Sequence, residues 1–398
     1  MYWRADAVQF TSLHDHFLII TLETLHIPSL RPHSSSSPKS HSPQLLLRTQ
    51  IMRQRYVASL ATVAFLLVLL ALFRRHLRDL SEIARTYSGF YPYLADHPEV
   101  LYRYHPPDNF ASNNTSSLHH QTPKIIHQIY LQESHHHDST LAAYTPAISS
   151  CQTLHPTWTH HLWTTANATT FLKLHYPPLL DPYTAYAQSI QRANILRYAL
   201  LHHHGGVYLD LDITCLTPLD PLLHLPFLTP AAHPAGVNNA FILAKPGHAL
   251  LTRVLEGVRE RDLRWGLPYV ENMLTTGCMF FSNRWMEYAR GLAVTRTEGQ
   301  DGVFVLADGE GGLVKQMLRG KVRTPLFEHG GASSWHGWDA GAIVWVGAHY
   351  YACGAVVMGV WMVVAVAWVF AWRAVRRRRE GWSLAGQSWE KRCDVERV

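Results

Sequence analysis

Two aspartates separated by one leucine, Asp210-Leu211-Asp212, are the residues of this chain best suited to hold a divalent metal ion. Side chains alternate along a strand, so a strand that carries this triplet turns both carboxylates one way and packs Leu211 on the opposite side. Two carboxylates on one face repel each other unless a cation lies near them. Oxygen ligands suit Mg²⁺ or Mn²⁺, and such a metal stabilises the charge of a departing diphosphate. The triplet therefore suits a divalent metal ion that binds a diphosphate, although by itself it is weak evidence because an isolated Asp-x-Asp is usually a solvated strand end.

The residues before the triplet predict a helix, a glycine turn and a strand, in that order. Apolar side chains recur at three- and four-residue spacing from Ile195 to Leu200, as on one face of a helix. Gly205-Gly206 ends this helix, because glycine accepts the left-handed backbone that a helix C-terminus usually needs. Val207 to Leu209 then form a short buried strand, and ligands of open α/β sheets bind beyond the C-terminal ends of such strands. A helix, a double glycine, an aromatic strand and Asp-x-Asp in this order are much more specific than the triplet alone, and together they predict a nucleotide-sugar site.

RANILRY at 192–198 followed by GGVYLDLD at 205–212 resembles the signature of the metal-dependent, Asp-x-Asp glycosyltransferases of family 32. The resemblance runs from about Pro123 to Asp339. It implies a retaining mannosyltransferase with an α/β catalytic domain of the GT-A type, which is Rossmann-like with a mainly parallel sheet. The chain is similar above all to family members that move mannose from GDP-mannose to inositol phosphoceramide, with Mn²⁺ or Mg²⁺ as cofactor. The location that the resemblance implies is the Golgi membrane.

The resemblance also implies roles for individual side chains. Asp212 binds the metal ion directly, and Asp210 contacts the metal shell, the ribose or the sugar. Arg197 projects toward the sugar or phosphate; otherwise it is a surface arginine. FEHGGASSWHGWDA at 327–340 resembles the loop that closes over the diphosphate, where His329 and His336 are metal candidates, with a packing or surface role as the alternative for each. The residues expected to bind the donor are Asn194, Arg197, Tyr208, Asp210, Asn239, Ser334 and Trp335.

Two residues depart from the family pattern. Asn194 stands where the family more often has aspartate; asparagine still hydrogen-bonds a sugar hydroxyl, but it cannot act as a base or carry charge. This departure weakens the donor assignment more than the fold. Tyr130 stands where the family usually has tryptophan. Gly236 to Asn239 resembles the family's loop near the donor sugar, and a plain polar turn is the alternative.

Alternating strands and helices around the triplet predict an α/β domain with a mainly parallel sheet. Strands are expected in PKIIHQIYL from Pro123, in the residues before a helix that begins near Thr164, and from Phe241 to Ala244. Pro246-Gly247 predicts a turn that an amphipathic helix follows. Thr276-Gly277 is expected to open a strand.

Two apolar segments flank this domain. Residues 56–73 carry no charge and approach the length needed to cross a ~30 Å hydrocarbon core, and residues 343–372 exceed it. Arg373 and Arg376 to Arg379 follow the second segment, which favours a cytosolic C-terminus. Two spans then place the middle of the chain in the lumen, in agreement with the sequons at Asn113, Asn114 and Asn167.

The predicted layout runs from a disordered, dispensable cytosolic tail (1–51) and a transmembrane helix (56–73) to a lumenal stem (76–120), the catalytic domain (121–340), a second transmembrane helix (343–372) and a basic cytosolic tail (373–398). Tyrosines in the stem either rest on the membrane or pack against the catalytic domain. Trp335 lies only eight positions before residue 343, and an extended linker of that length reaches roughly 28 Å. A site so close to the bilayer favours a lipid headgroup as the acceptor.

Composition excludes other classes of protein and of site. The formal charge is +6, of which the tail from residue 373 carries +4, so no basic stripe remains to follow a nucleic-acid backbone. The five cysteines form no C-x-x-C motif; three lie in the central domain, where one disulfide can form in an oxidising lumen, and the pair is not specified. His202 to His204 lack the spacing of a zinc site, although positive charge there would suit a helix C-terminus.

Three functions are compatible with these features. The first is transfer of mannose to inositol phosphoceramide at the membrane bilayer, with a regulatory membrane subunit as a candidate partner. The second is a protein N-glycan α-mannosyltransferase, and the third is a non-catalytic membrane partner of a glycosyltransferase complex. Intact Asp210 and Asp212 disfavour the third function, whereas Asn194 keeps it open.

Overall fold

The computed structural model of the chain describes residues 43–105, 121–131, 141–262, 264–295, 301–331 and 337–395. The chain forms two compact units, residues 1–72 and 73–398. The described residues of the first unit belong to helix α1, Pro43–Asp96, which continues into the second unit. Residues 1–42 of the expected disordered tail lie outside the described residues, whereas residues 43–51 are helical and not disordered as expected.

The described part of the second unit contains a seven-stranded mixed sheet and a smaller antiparallel sheet. The strands are β1 Leu101–Tyr104, β2 Ile125–Tyr130, β3 Thr159–Thr164, β4 Gly206–Leu209, β5 Ile213–Cys215, β6 Phe227–Pro230, β7 Phe241–Ala244, β8 Phe304–Asp308, β9 Val322–Arg323 and β10 Phe327–His329. The large sheet has the order β1-β8-β6-β7-β4-β2-β3, and the small sheet has the order β5-β10-β9. In the large sheet only β7 is antiparallel to its neighbours, β4 and β6, so the mainly parallel α/β prediction is confirmed.

Helices cover the large sheet and connect its strands. Those after α1 are α2 Thr145–Leu154, α3 Thr165–His175, α4 Pro177–Ala185, α5 Ser189–His204, α6 Ala249–Glu260, α7 Pro268–Thr275, α8 Cys278–Thr295, α9 Trp338–Ala348 and α10 Tyr350–Val395. Two apolar clusters form the core. Tyr208 belongs to the cluster that contains α5, α6 and α8, whereas Val207 and Leu209 belong to the cluster around Phe327, as expected when successive side chains of a buried strand point to opposite faces.

The prediction that a strand begins at Thr276-Gly277 is wrong. These two residues separate α7 from α8, and the Gly277 N–H donates to the carbonyl oxygen of Asn272 at 2.8 Å. A Cβ at Gly277 would lie 2.9 Å from that same oxygen, so only glycine fits the junction. The apolar residues that follow, Phe280 and Phe281, are buried in a helix, and a short apolar run does not distinguish a buried helix from a buried strand.

The described part of the segment expected to form a separate stem packs into the second unit. Phe90 and Leu94 of α1 are buried in the core, and β1 pairs with β8. Arg261 donates to Asp79 at 2.6 Å and to Glu82 at 2.7 Å, which fastens α1 to the end of α6. The structure therefore supports packing against the central domain for the described part of this segment, and contact of its tyrosines with a membrane stays a prediction.

Two helices among the described residues are long and apolar enough to cross a membrane. They are residues Ile51–Asp96 of α1 and Tyr351–Arg377 of α10, with mean hydropathies of 2.5 and 2.3 in their most apolar windows, neither of which is buried. The predicted segment 343–372 is divided between α9 and α10, because the helix is interrupted at His349. The second candidate span therefore begins about eight residues later than expected from composition.

A disulfide joins Cys151 of α2 to Cys215 of β5, with an S–S distance of 2.02 Å. Both cysteines are buried, and β5 begins directly after Asp212. The disulfide that can form in the central domain therefore uses these two cysteines, and Cys278 is a free thiol. The bond links the outer helix α2 to the strand that continues from the acidic triplet.

Reduction of this disulfide is expected to lower the stability of the central domain considerably. It closes a loop with a sequence separation of 64 residues, for which the chain-entropy estimate is about 4 kcal/mol. Urea unfolding of the full chain in detergent, with and without reductant, would measure the loss. The double variant Cys151→Ser with Cys215→Ser should match the reduced protein and no longer respond to reductant; an unchanged midpoint on reduction contradicts this prediction.

A cluster of imidazole and aromatic rings lies at the C-terminal end of α5. His127 of β2 is fully buried, and its Nε2 lies 3.0 Å from the carbonyl oxygen of Gly205. Because a carbonyl only accepts, Nε2 carries the proton, and Nδ1 accepts the indole N–H of Trp163 at 3.2 Å. Burial lowers the pKa of His127 to about 3. Burial also lowers the pKa of each residue from His202 to His204, which disfavours the positive charge considered for this helix end.

Acidification is expected to destabilise the fold through His127. A histidine whose pKa is lowered on folding contributes stability above its unfolded pKa, near 6.5, and loses this contribution as the pH falls toward the folded pKa. For His127, that loss is about 2 kcal/mol between pH 7 and pH 5. Free energies of unfolding measured in urea at pH 5, 6 and 7 would test this. His127→Gln keeps a donor and an acceptor and should flatten the pH dependence by one proton; an unchanged slope contradicts the assignment.

Candidate functional site

The acidic triplet lies at the C-terminal end of β4, as predicted, but it forms a turn. The strand ends at Leu209, and the Ile213 N–H donates to the carbonyl oxygen of Asp210 at 3.1 Å. The Asp210 N–H donates to the carbonyl oxygen of Ala240 at 2.9 Å. Strand alternation therefore does not set the directions of the two carboxylates, and their positions depend on contacts with other parts of the chain.

Asp210 is held by two residues from elements that precede it. Its Oδ1 accepts a hydrogen bond from the Tyr208 hydroxyl at 2.6 Å and lies 3.3 Å from Nη2 of Arg197. The Arg197 guanidinium is 4.4 Å from the centre of the Tyr208 ring, and its other amino group donates to the carbonyl oxygen of Asn239. Burial and the neighbouring Asp212 raise the pKa of Asp210, and Arg197 opposes this rise.

Arg197 is almost entirely buried, with 2% of its surface exposed, so the alternative of a surface arginine is wrong. Its guanidinium contacts Asp210 and not open solvent. Tyr208 is equally buried, and its hydroxyl is used by Asp210. In this structure both residues, which the sequence assigns to donor binding, support the first aspartate of the triplet.

Asp212 lies beside His329, which is 117 positions further along the chain. Their side chains approach to 3.5 Å between Oδ2 and Nε2. The pairing of β5 with β10 brings them together, and the Gly330 N–H donates to the carbonyl oxygen of Asp212 at 2.8 Å. The other ring nitrogen of His329, Nδ1, donates to the carbonyl oxygen of Gly320 at 2.7 Å. This bond orients the ring so that Nε2 faces the carboxylate.

The chemistry of this pair fits a divalent metal ion. Histidines that bind metals usually donate their second ring nitrogen to a carbonyl or carboxylate, as His329 does. Within the described ranges, no group of three or more His, Cys, Asp or Glu side chains is arranged to hold a metal by protein ligands alone. Magnesium sites are often built from one or two carboxylates together with substrate phosphates. Asp212 and His329 fit a site of that shared type.

Asn194 lies in a buried amide network that includes Asn239 and Asn272. It is 2% exposed, and its amide group donates to Asn272 Oδ1 at 2.9 Å and to Thr276 Oγ1 at 3.2 Å. Its own oxygen accepts from the amide of Asn239 at 3.2 Å. A contact of Asn194 with a sugar hydroxyl stays a prediction, and the protein partners of its amide are Asn272, Thr276 and Asn239. Asparagine supplies two donors that an aspartate would lack at this position.

Three further residues of this network were missed by sequence reasoning. Asn272, Thr276 and Cys278 come from α7, α8 and the junction between them, and the Cys278 thiol lies 2.9 Å from Asn239 Oδ1. Burial raises the pKa of this thiol. The only signal in the sequence is a set of polar residues inside an otherwise apolar segment. Asn194 on α5, the partner of Asn272 and Thr276, is 78 and 82 positions away from them, and local sequence patterns do not predict such contacts.

The loop from Gly236 to Asn239 is built firmly against α8. Gly236 has a φ of 95°, and a side chain at this position would collide with Ser282. The Val237 N–H donates to the Ser282 hydroxyl at 2.9 Å, and Asn238 donates to the carbonyl oxygen of Leu318 at 3.1 Å. A role next to the donor sugar stays a prediction. Ser334, Trp335 and His336 lie outside the described residues.

Comparison with known proteins identifies the region around this site. Residues 143–227 match the glycosyltransferase sugar-binding region containing the DXD motif. The chain therefore contains the sugar-binding region of a DXD-containing glycosyltransferase domain. The matched region begins two residues before α2 and ends at Phe227, the first residue of β6. It includes α5, β4 and the acidic triplet.

The glycosyltransferase domain is similar to curated fungal enzymes. Mannosyl phosphorylinositol ceramide synthase CSH1 of Saccharomyces cerevisiae is 32% identical over 248 residues, which cover 62% of this chain and 62% of that protein. Inositol phosphoceramide mannosyltransferase 3 of Schizosaccharomyces pombe is 30% identical over 239 residues, covering 60% of this chain and 62% of that protein. The matched part thus spans about three fifths of the length of these relatives.

Among solved structures, the PaToxG glycosyltransferase overlaps 44% of this chain and 72% of its own chain. The TM-score is 0.33 and the sequence identity is 15%.

Proposed function

We propose that this chain is a retaining, metal-dependent mannosyltransferase that moves mannose from GDP-mannose to inositol phosphoceramide. The observation that carries the proposal is the pairing of Asp212 with His329 at 3.5 Å, next to the acidic turn of a DXD glycosyltransferase domain. Asp210 lies in the same turn and is held by Arg197 and Tyr208. A turn with this donor set is suited to the diphosphate end of a nucleotide sugar.

We assign a separate role to each side chain at this turn. Asp212 and His329 would hold Mn²⁺ or Mg²⁺, which when bound supplies charge stabilisation for the departing diphosphate. Arg197 places a buried positive charge against Asp210, and Tyr208 fixes the orientation of the same carboxylate. The buried network around Asn194 keeps α5, α7 and the loop at Asn239 in one arrangement. Preorganised charges of this kind require little rearrangement during the reaction.

The choice of acceptor rests on similarity and on the apolar helices. Both curated relatives are named for mannosylation of inositol phosphoceramide. The helix Tyr351–Arg377 is long and apolar enough to cross a membrane and follows the glycosyltransferase domain closely. We therefore propose a membrane enzyme whose catalytic domain faces the Golgi lumen and whose acceptor is a lipid headgroup. A regulatory membrane subunit is a further proposed partner.

A transfer assay with the full chain in lipid nanodiscs would test this function. GDP-mannose and UDP-glucose would be offered as donors, and inositol phosphoceramide or a high-mannose N-glycan as acceptors, with chelator and then Mn²⁺ or Mg²⁺. The expected product is mannosyl-inositol phosphoceramide in the α configuration, formed only after metal is restored. Transfer to the N-glycan alone would overturn the acceptor, and product formation in chelator would overturn the metal. No transfer or donor hydrolysis in any arm would overturn the enzyme itself.

A further inference from the structure

The short helix α9 is fastened to the glycosyltransferase domain at its N-terminal end. Asp339 and Ala340 are buried, with 2% and 1% of their surfaces exposed. The Asp339 carboxylate accepts the backbone N–H of Tyr269 at 2.5 Å. Tyr269 is the second residue of α7, where backbone N–H groups have no partner within the helix. Asp339, the second residue of α9, therefore caps α7, and this contact fixes the start of α9 on the domain.

Beyond this attachment, α9 is apolar and exposed. Val344, Trp345 and Val346 are 53%, 57% and 47% exposed, and Trp338 at the other end of the helix is 77% exposed. No charged residue occurs from Ala340 to Trp372. A helix that is apolar on every face is normally covered by protein or by lipid. Exposed apolar surface of this extent next to a candidate span marks a surface that binds an apolar partner.

We infer that α9 lies in the membrane interface and seats the glycosyltransferase domain on the bilayer. This inference rests on the proposed membrane location and goes beyond it, because α9 is separate from both candidate spans. The bilayer is the favoured partner because α9 leads directly into the second span: only His349 separates α9 from α10, and the span begins at Tyr351. Tryptophan is enriched at membrane–water interfaces, which suits both ends of α9.

The position of α9 limits the distance between the metal pair and the bilayer. Gly330 is hydrogen-bonded to Asp212, and Trp338 begins α9 eight residues later. A fully extended chain of eight residues spans at most roughly 28 Å. With α9 in the interface, Asp212 lies within that distance of the lipid headgroups. An acceptor whose ceramide stays in the bilayer can then present its inositol to the site.

Site-directed spin labelling of the full chain in nanodiscs would test the inference. Labels at Val344→Cys, Trp345→Cys and Val346→Cys would be compared with Val360→Cys inside the candidate span and Val314→Cys, which is 78% exposed on the domain surface. The background would carry Cys278→Ser, Cys353→Ser and Cys393→Ser. Collision with oxygen is expected to exceed collision with a nickel chelate for all three α9 labels, as at Val360→Cys and in contrast to Val314→Cys.

Each alternative partner gives a different result. Collision with the nickel chelate as high as at Val314→Cys would place α9 in water and overturn the inference. Low collision with both reagents, together with spin–spin broadening that disappears on dilution with unlabelled chain, would assign the surface to a second copy and also overturn it. The measurement needs no substrate, so α9 can meet the expectation even when sugar transfer fails. An aqueous label at Val360→Cys would instead contradict the membrane location in the proposed function.

A functional control separates seating on the bilayer from catalysis. Trp345→Glu places a charge in the apolar interface and is expected to lower transfer to inositol phosphoceramide in nanodiscs by roughly tenfold or more, since a buried charge in lipid is costly. Donor hydrolysis, which needs no lipid acceptor, should stay at the level of the unmodified chain. The matched surface variant Val314→Glu should leave both activities unchanged. Equal loss of both activities in Trp345→Glu would contradict a seating role.

Discussion

Replacement of Asp212 by asparagine is expected to reduce sugar transfer by roughly 10³-fold or more, since metal charge stabilisation contributes several kcal/mol and each 1.36 kcal/mol is a factor of ten. Asparagine keeps the size of the side chain but removes the negative charge that faces His329 across 3.5 Å. The backbone bond between Gly330 and Asp212 does not depend on the side chain. The fold should therefore survive while the metal affinity falls.

Two measurements distinguish loss of metal from loss of structure. Mn²⁺ binding in the presence of GDP, followed by electron paramagnetic resonance, should weaken strongly in Asp212→Asn, and the thermal unfolding midpoint should change little. The matched control is Asp181→Asn, which removes an exposed carboxylate from α4. It should retain both binding and transfer. Normal transfer by Asp212→Asn, at metal concentrations that support the unmodified chain, would refute the metal role.

Local sequence patterns predicted the elements that carry the acidic turn. The helix α5, the left-handed Gly205 and the buried strand β4 each depend on residues within a few positions of one another. The φ of 67° at Gly205 is a direct consequence of the turn that the double glycine predicted. A Cβ there would lie within 3 Å of the Pro246 ring, which also explains why this turn requires glycine.

Contacts between distant parts of the chain could not be predicted in the same way. The sequence left the disulfide pair open, because Cys151 and Cys215 meet only after α2 has packed on β5. His329 was suggested by family resemblance alone, and the register of β10 on β5 is what places it beside Asp212. The sequence did not predict the hydrogen bonds of Asn194 to Asn272 of α7 and to Thr276, because a strand was expected to begin at Thr276.

Loss of Arg197 is the second change for which a large effect is expected, on both stability and activity. Arg197→Met removes one partner of a buried ion pair and leaves Asp210 beside Tyr208 without its cation. Breaking a fully buried pair typically costs about 3–5 kcal/mol, and we expect a smaller cost here because the Asp210 side chain is 30% exposed. The variant also loses the hydrogen bond to the carbonyl oxygen of Asn239, and Asp210 loses its orientation. Urea unfolding of the full chain and transfer kinetics would measure the two effects.

The double variant separates the two roles of Arg197. When Asp210→Asn is added to Arg197→Met, no unpaired buried charge remains, so a large part of the lost stability should return while transfer stays low. Arg253→Met is the matched control, because Arg253 also lies over a tyrosine ring, Tyr288 at 5.3 Å, but is exposed. An exposed contact of this kind contributes about 0.5–1 kcal/mol. If Arg197→Met lowers the free energy of unfolding no more than Arg253→Met does, the ion pair does not stabilise the fold. If the double variant recovers transfer together with stability, Arg197 has no role of its own at the site.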